Sequence, residues 1–200
     1  IQSRVDLLLK DDTVEALARA GCDIVWLGAE SGSQRILDAM DKGTTVEQIH
    51  EARQKLKQHG IRTAFFLQFG YLGETKEDVE ATFKMLQKAM PEDIGGSVAY
   101  PLPGTAFYEK VKADVSGKTN WTDSDELAMM FRNTYSPAYY RRLHRYVHKR
   151  YRKMQAFESV GNLLKAKING REIYRAASTA YYIPATLLEK IRLDRLYQHG

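Results

Sequence analysis

Cysteine is nearly absent from this sequence, which holds Cys22 alone among 200 residues. A single thiol excludes a disulfide framework and any metal cluster built from several cysteines of these residues. Apolar runs of membrane-spanning length are also missing, and the sequence shows no cleavable signal pattern. The composition is that of a globular protein, and we expect it to work in the cytoplasm.

Four short apolar segments are predicted to be β-strands, and each is followed by a helical pattern. They cover residues 2–6, 23–27, 62–69 and 96–100. Strands that alternate with helices predict parallel βαβ units with right-handed crossovers, either in an open sheet or in part of a barrel. In both architectures, ligands bind at the carboxyl ends of the strands.

Three of the helices are predicted to begin with a capping box. The pairs are Asp12 with Glu15, Thr44 with Glu47, and Thr75 with Asp78. In this motif, a side chain at the N-cap and another three residues later satisfy free backbone N–H groups.

The turn after the second predicted strand is the strongest functional signal from residue chemistry alone. It has the sequence Gly28-Ala29-Glu30-Ser31-Gly32-Ser33 and leads into a helix. Backbone N–H groups and one carboxylate at such a turn can converge on a polar small molecule.

Charge divides the sequence into two parts. From residue 135 onward there are 14 Lys and Arg residues against 4 Asp and Glu, whereas the first 134 residues have 16 against 21. The basic part is predicted to be helical, with an apolar stripe at helical spacing between residues 139 and 154. Interleaved aromatic and basic residues there fit either a helix that docks on the preceding domain or an RNA-binding surface.

Six motifs together resemble the radical S-adenosylmethionine (SAM) enzymes, in order and in approximate spacing. They are Arg4-Val5-Asp6, Ala20-Gly21-Cys22, residues 28–33, Lys42-Gly43-Thr44-Thr45, Gly70-Tyr71-Leu72-Gly73-Glu74-Thr75 and Tyr100-Pro101-Leu102-Pro103-Gly104-Thr105. The sequence is most similar to the class with a cobalamin-binding domain, which is related to anaerobic magnesium-protoporphyrin cyclase. Leu72 departs from the proline that is common at its position in that class.

The resemblance implies an α/β fold that is the C-terminal part of a partial (β/α)6 TIM-like barrel with parallel strands, followed by an α-helical extension. We expect the barrel part to cover residues 1–120 and the extension residues 121–200. In the family, a Cys-x-x-x-Cys-x-x-Cys loop holds a 4Fe-4S cluster, and this sequence has no such loop. The resemblance therefore implies cluster ligands upstream of Ile1, and its cobalamin-binding class would add a cobalamin domain there.

The resemblance also implies which residues contact SAM. Glu30 corresponds to a polar residue near the methionine or ribose part, and Lys42 to a basic residue that meets the methionine carboxylate. Either residue can instead stabilise a helix end, Glu30 as a cap and Lys42 by complementing the dipole. Ser31 is a weaker candidate because serine after a strand is commonly a cap.

Further candidate contacts come from the later strands and from the first. Gln68, Phe69 and Gly70 are expected near the adenine, with Leu102 covering it from the next strand. Arg4 is expected at the functional rim, where an ion pair with Asp6 is an equally good interpretation.

The function implied by the resemblance is a radical SAM enzyme that methylates, cyclises or oxidises a small-molecule substrate. Its expected cofactors are SAM, the 4Fe-4S cluster and possibly cobalamin, with ferredoxin or flavodoxin as reductant. The alternative is a nucleic-acid-binding or RNA-modifying module that uses the basic helices.

Overall fold

The computed structural model describes residues 1–115, 131, 133–166 and 168–198. The chain divides into two compact units, Ile1–Thr134 and Tyr135–Gly200. The domain boundary expected at residue 120 lies outside the described residues.

A parallel four-stranded sheet forms the first unit. Its strands are β1 (Gln2–Ser3), β2 (Ile24–Glu30), β3 (Arg62–Phe69) and β4 (Asp93–Val98), and they are adjacent in the order β1-β2-β3-β4. This arrangement confirms the predicted α/β fold with parallel strands.

Helices follow or connect these strands. They are α1 (Val5–Leu8), α2 (Thr13–Arg19), α3 (Gln34–Ala39), α4 (Val46–Gln58), α5 (Lys76–Ala89) and α6 (Ala106–Val111), and a short 3₁₀ turn (Lys112–Asp114) follows α6.

The sheet has one buried face and one partly exposed face. Along β2, Val25, Leu27 and Ala29 are fully buried, while the residues between them are only partly so. On β3, Phe65 and Leu67 are buried, as expected for core positions. Alternate residues of a strand point to opposite faces, so Glu30 lies on the accessible side at the carboxyl end of β2.

Two predicted strands have different bounds in the structure. The first ends at Ser3, because Val5 and Leu8 are both buried at helical spacing and the chain turns into α1. The fourth covers Asp93–Val98 instead of residues 96–100, because its pairing with β3 runs from Ala64 opposite Asp93 to Phe69 opposite Val98. A Cβ on Gly95 would lie 3.2 Å from Phe66 Cδ1, so this position favours glycine.

Of the three predicted capping boxes, only Thr75 with Asp78 is confirmed. Asp12 makes no side-chain capping bond, and its carboxylate accepts a 3.0 Å hydrogen bond from Arg19 instead. The second box is shifted by one residue, since Thr45 caps α4 together with Gln48.

Three helices form the second unit: α7 (Pro137–Leu164), α8 (Gly170–Ala177) and α9 (Thr179–Gln198). The fully buried tyrosines Tyr140 and Tyr151 lie on the predicted apolar stripe of α7. Glu189 of α9 is buried and accepts hydrogen bonds from Arg142 and Lys149 of α7, at 2.9 and 2.8 Å. A buried carboxylate between two cations thus joins α7 to α9.

None of the helices in the described part of the chain is both long and apolar enough to span a membrane.

Candidate functional site

Glu30 ends β2 in an unusual backbone conformation. Its φ is 58°, in the left-handed region, and the pairing of β2 with β3 shifts register between Gly28 and Glu30. Non-glycine residues in this region are uncommon and often lie at functional sites. After the shift Glu30 pairs with Leu67 of β3 as the last residue of β2, at the carboxyl end of the strand.

Lys42 reaches the same place from the turn after α3. It lies between Asp41 and Gly43, whose φ values of 53° and 66° are both left-handed. Its Nζ donates a 2.7 Å hydrogen bond to Glu30 Oε1, and the two side chains are 28% and 19% exposed. We call these two residues the Glu30–Lys42 pair.

The pair lies against the backbone of Gly28. A Cβ at this position would be 3.0 Å from Glu30 Oε1 and 3.3 Å from Lys42 Nζ. Glycine therefore leaves the space that the two charged groups occupy.

A cavity of about 420 Å³ opens beside the pair, at the carboxyl ends of β2, β3 and β4. Leu102, at its rim, is 51% exposed, as an apolar contact available to a ligand must be. Tyr71 is nearly buried, and its hydroxyl donates a 2.8 Å hydrogen bond to the Ala39 carbonyl. The lining residues are Glu30, Ala39, Met40, Asp41, Lys42, Gln68, Tyr71, Tyr100, Leu102, Thr105, Ala106, Phe107 and Lys110.

Four of the eight residues implied by the resemblance thus meet at one cavity, namely Glu30, Lys42, Gln68 and Leu102. The other four do not line it. Ser31 is fully buried, and its hydroxyl contacts Thr82 Oγ1 at 3.3 Å and accepts from the Ser33 N–H at 3.1 Å. It supports the loop and does not face the cavity.

The other three residues, Phe69, Gly70 and Arg4, also contact other parts of the protein. The Phe69 side chain is buried, and its carbonyl accepts from the Ala99 N–H at 2.7 Å. Both backbone polar groups of Gly70 have partners within the protein, since the N–H donates to Glu74 and the carbonyl accepts from Asn133. Arg4 is exposed and paired with Asp6 at 2.9 Å, which matches the ion-pair interpretation.

Asp78 ties together the loops that carry the site. It accepts a 2.6 Å hydrogen bond from the Ser33 hydroxyl and a 2.8 Å bond from the Thr75 N–H, and it pairs with Arg35. Burial alone would raise the pKa of Asp78, but the hydrogen bonds from Ser33, Thr75 and Arg35 lower it. The loop after β2 and the loop after β3 therefore both donate hydrogen bonds to the same carboxylate.

Glu74 is the most perturbed acid of the described residues. It is 1% exposed, and burial raises its pKa to about 8. Its Oε2 accepts a 2.6 Å hydrogen bond from the Gly70 N–H, while Oε1 has no partner among the described residues. This acid supports the turn after β3 in its neutral form at pH 7. In the sequence Glu74 is part of the Gly70–Thr75 motif, and the burial of its side chain cannot be deduced from that motif.

No group of three or more His, Cys, Asp or Glu side chains within the described ranges could hold a metal ion. Cys22 is half-buried and precedes β2, at the end of the strand opposite to Glu30. The residues present do not fit a 4Fe-4S cluster.

Comparison with known proteins shows which family the first unit resembles. Residues 3–86 match the profile of the radical SAM superfamily. The matched residues include the parallel strands β2 and β3 and the helices between them, so the first unit is similar to the radical SAM superfamily in both sequence pattern and fold.

Curated relatives of the chain carry several activities in their names. The chain is 35% identical over 107 residues to an uncharacterized methyltransferase of Pyrococcus horikoshii, covering 54% of this chain and 23% of the relative. It is 35% identical over 112 residues to the anaerobic magnesium-protoporphyrin IX monomethyl ester cyclase of Rubrivivax gelatinosus, covering 56% and 20%. It is 37% identical over 105 residues to the tRNA-2-methylthio-N(6)-dimethylallyladenosine synthase of Aquifex aeolicus, covering 50% and 24%. The chain thus spans about a quarter or less of the length of these relatives.

A solved structure extends the fold match to both units. The cobalamin-dependent SAM radical enzyme OxsB, with aqua-cobalamin and SAM bound, matches 99% of this chain over 37% of its own length, with a TM-score of 0.54 and 16% identity. At this identity the similarity concerns the fold alone. It agrees with the predicted barrel segment followed by a helical part.

Proposed function

We propose that this chain forms part of the SAM-binding site of a radical SAM enzyme, with the cluster ligands supplied from outside these 200 residues. The Glu30–Lys42 pair carries the proposal, because it presents a carboxylate and an ammonium group side by side at the edge of a cavity. The methionine end of SAM carries the complementary pair, an ammonium and a carboxylate.

Four residues of the cavity have distinct tasks in this proposal. Lys42 meets the methionine carboxylate as a point charge, and Glu30 accepts from the ammonium or from a ribose hydroxyl. Gln68 and Leu102 contact the remaining, less polar part of the ligand, with Leu102 excluding water from it. Both charged side chains are partly exposed, so the charged groups of a ligand can replace the hydrogen bond between Lys42 and Glu30 with bonds of their own.

The wider reaction rests on the relatives. In the family, the cluster supplies the electron that cleaves SAM, and the one cysteine of this sequence cannot supply the three thiolates that hold such a cluster. We propose that the complete protein uses a small-molecule substrate and an external reductant such as ferredoxin or flavodoxin. Methylation, cyclisation and oxidation all remain open as outcomes.

A titration with SAM and with 5′-methylthioadenosine tests this placement, because the second compound lacks the amino-acid end. In the complete protein, Lys42→Gln should weaken SAM binding by about tenfold or more and leave methylthioadenosine within about twofold. Lys10→Gln, which removes an exposed lysine outside the cavity, is the matched control. Equal losses for both ligands, or no loss for SAM, would contradict the assignment of Lys42.

A second candidate function is RNA modification through the basic helices. Arg141 and Arg145 are exposed one turn apart on α7, and one relative is named for a tRNA product. Lys149, by contrast, is engaged with buried Glu189. If α7 binds RNA, replacing Arg141 and Arg145 with Gln should weaken RNA binding and reduce its salt dependence without changing SAM affinity. Unchanged RNA binding at every salt concentration would exclude this candidate.

A further inference from the structure

A second cavity, of about 460 Å³, lies between α4 and α5 and shares no lining residue with the first. Its polar lining consists of His50, Arg53, Lys57 and Lys88 with the amides of Gln54 and Gln58. Carboxylates are missing from that lining. We call this space the basic cavity.

Arg53 gives the basic cavity an unusual feature, a buried guanidinium with unused donors. Its side chain is only 7% exposed. Nη2 donates to Glu92 Oε1 at 2.9 Å and to the Met90 carbonyl at 3.3 Å. Nε and Nη1 are buried with no acceptor among the described residues. Unmatched buried donors on a charged group are costly, and both lie on a guanidinium group whose residue lines the basic cavity.

Other basic side chains of the basic cavity also favour an anion. Burial, and then the positive charge of Lys88 on α5, lower the pKa of His50, while Glu47 on its own helix opposes the shift. Lys57 and Lys88 lie in the last turns of α4 and α5, where lysines also complement helix dipoles. That role accounts for the two lysines, but it does not explain the unused donors of Arg53 or the nearby imidazole.

We propose that the basic cavity binds a phosphorylated small molecule through its oxyanion group. The two ammonium groups of Lys57 and Lys88 match the charge of a phosphate, while Arg53, whose charge is partly offset by Glu92, and the two glutamine amides add further donors. The volume falls in the range of small-molecule sites and exceeds the needs of a single phosphate ion. The site is separate from the SAM cavity and does not depend on the function proposed for it.

Pyrophosphate is the probe for the first experiment, an isothermal titration of the full chain. We expect saturable binding that weakens by about tenfold or more when Lys57 and Lys88 are both replaced by Gln. The control is the double replacement of Lys10 and Lys84 by Gln, which removes two exposed lysines that do not line the basic cavity. Absence of saturable binding, or equal weakening in both double variants, would overturn the proposal.

A second measurement avoids the risk that changes at Arg53 disturb folding. Sulfate does not titrate near neutral pH, and a bound sulfate should raise the pKa of His50 by offsetting the charge of Lys88. NMR titration of the histidine resonances measures this shift, and His50→Gln identifies the signal. His59 does not line the basic cavity and lies 3.5 Å from Glu15, so it reports the general effect of salt. A selective rise at His50 supports the site, whereas equal changes at both histidines contradict it.

Discussion

Gly28 in β2 and Gly32 in the loop that follows illustrate how two nearby glycines can be needed for different reasons. The missing side chain of Gly28 makes room for the Glu30–Lys42 pair, whose atoms are the far ends of flexible side chains. At Gly32 a Cβ would lie 2.5 Å from the Ala81 carbonyl oxygen and 2.6 Å from Thr82 Cα, both in the backbone of α5. The first glycine therefore serves the site and the second serves the packing of the loop.

Alanine substitutions separate these roles. Gly28→Ala should lower SAM affinity while leaving the free energy of unfolding within about 1 kcal/mol of wild type, because long side chains can move aside. Gly32→Ala should destabilise the protein by roughly 2 kcal/mol or more, because backbone must shift. Urea denaturation with SAM titration measures both effects. Similar stability losses in the two variants would contradict this assignment.

The raised pKa of Glu74 predicts a pH dependence of stability. Between its ordinary value of 4.5 and about 8, the unfolded chain ionises Glu74 while the folded protein keeps it protonated. The unfolded state then binds fewer protons, so this residue's contribution to stability falls as pH rises through that window.

Glu74→Gln isolates the contribution, since glutamine keeps an acceptor for the Gly70 N–H but cannot ionise. We expect the stability of wild type relative to the variant to decrease from pH 5 to pH 8, as measured by urea denaturation at both values. A constant difference across this range would mean that Glu74 is not held neutral.

At the level of elements, the features that depend on local sequence periodicity were predicted correctly. The β3 bounds match the prediction, the parallel order follows from strands alternating with helices, and the Thr75 cap is where its motif indicates. The prediction was wrong where tertiary packing decides. The first strand ends before Val5, which is buried in α1. The Asp12 side chain accepts a hydrogen bond from Arg19 and does not cap α2.

The candidate site was predictable only in part for the same reason. Glu30 and Lys42 were identified separately, yet their direct pairing depends on the left-handed turn at Asp41 and Gly43. Ser31 shares the loop of Glu30 and is buried against Thr82 of α5, a contact 51 residues away in sequence. Periodicity within one segment carries no information on such contacts.

Asp78 of α5 bonds to Ser33 and Arg35, which follow β2, and to Thr75, which follows β3. Replacing Asp78 tests how much these contacts stabilise the protein. Asp78→Ala should destabilise the protein by roughly 3 kcal/mol, since Arg35 and the Ser33 hydroxyl lose a largely buried charged partner. Asp78→Asn should cost less, because it retains an acceptor. Denaturant unfolding of both variants provides the comparison, and a loss below about 1 kcal/mol for alanine would contradict the role given to this carboxylate.

At the scale of the whole molecule, the two units have opposite charge balance and different internal chemistry. The first collects polar groups at the carboxyl edge of a parallel sheet. The second encloses a carboxylate, Glu189, between cations of α7 and has its other charges mostly at the surface. The features that match the radical SAM superfamily lie in the first unit, and the central functional claim rests there.

Isothermal titration of SAM into the complete protein carrying Glu30→Gln tests that claim most directly. A charge-assisted hydrogen bond contributes about 1.5 to 3 kcal/mol, so affinity should fall by roughly ten- to a hundredfold. Glu51→Gln, a change at an exposed glutamate of α4, should bind SAM as wild type does. Wild-type affinity for SAM in Glu30→Gln would contradict the account, because the carboxylate at the end of β2 would then have no part in binding.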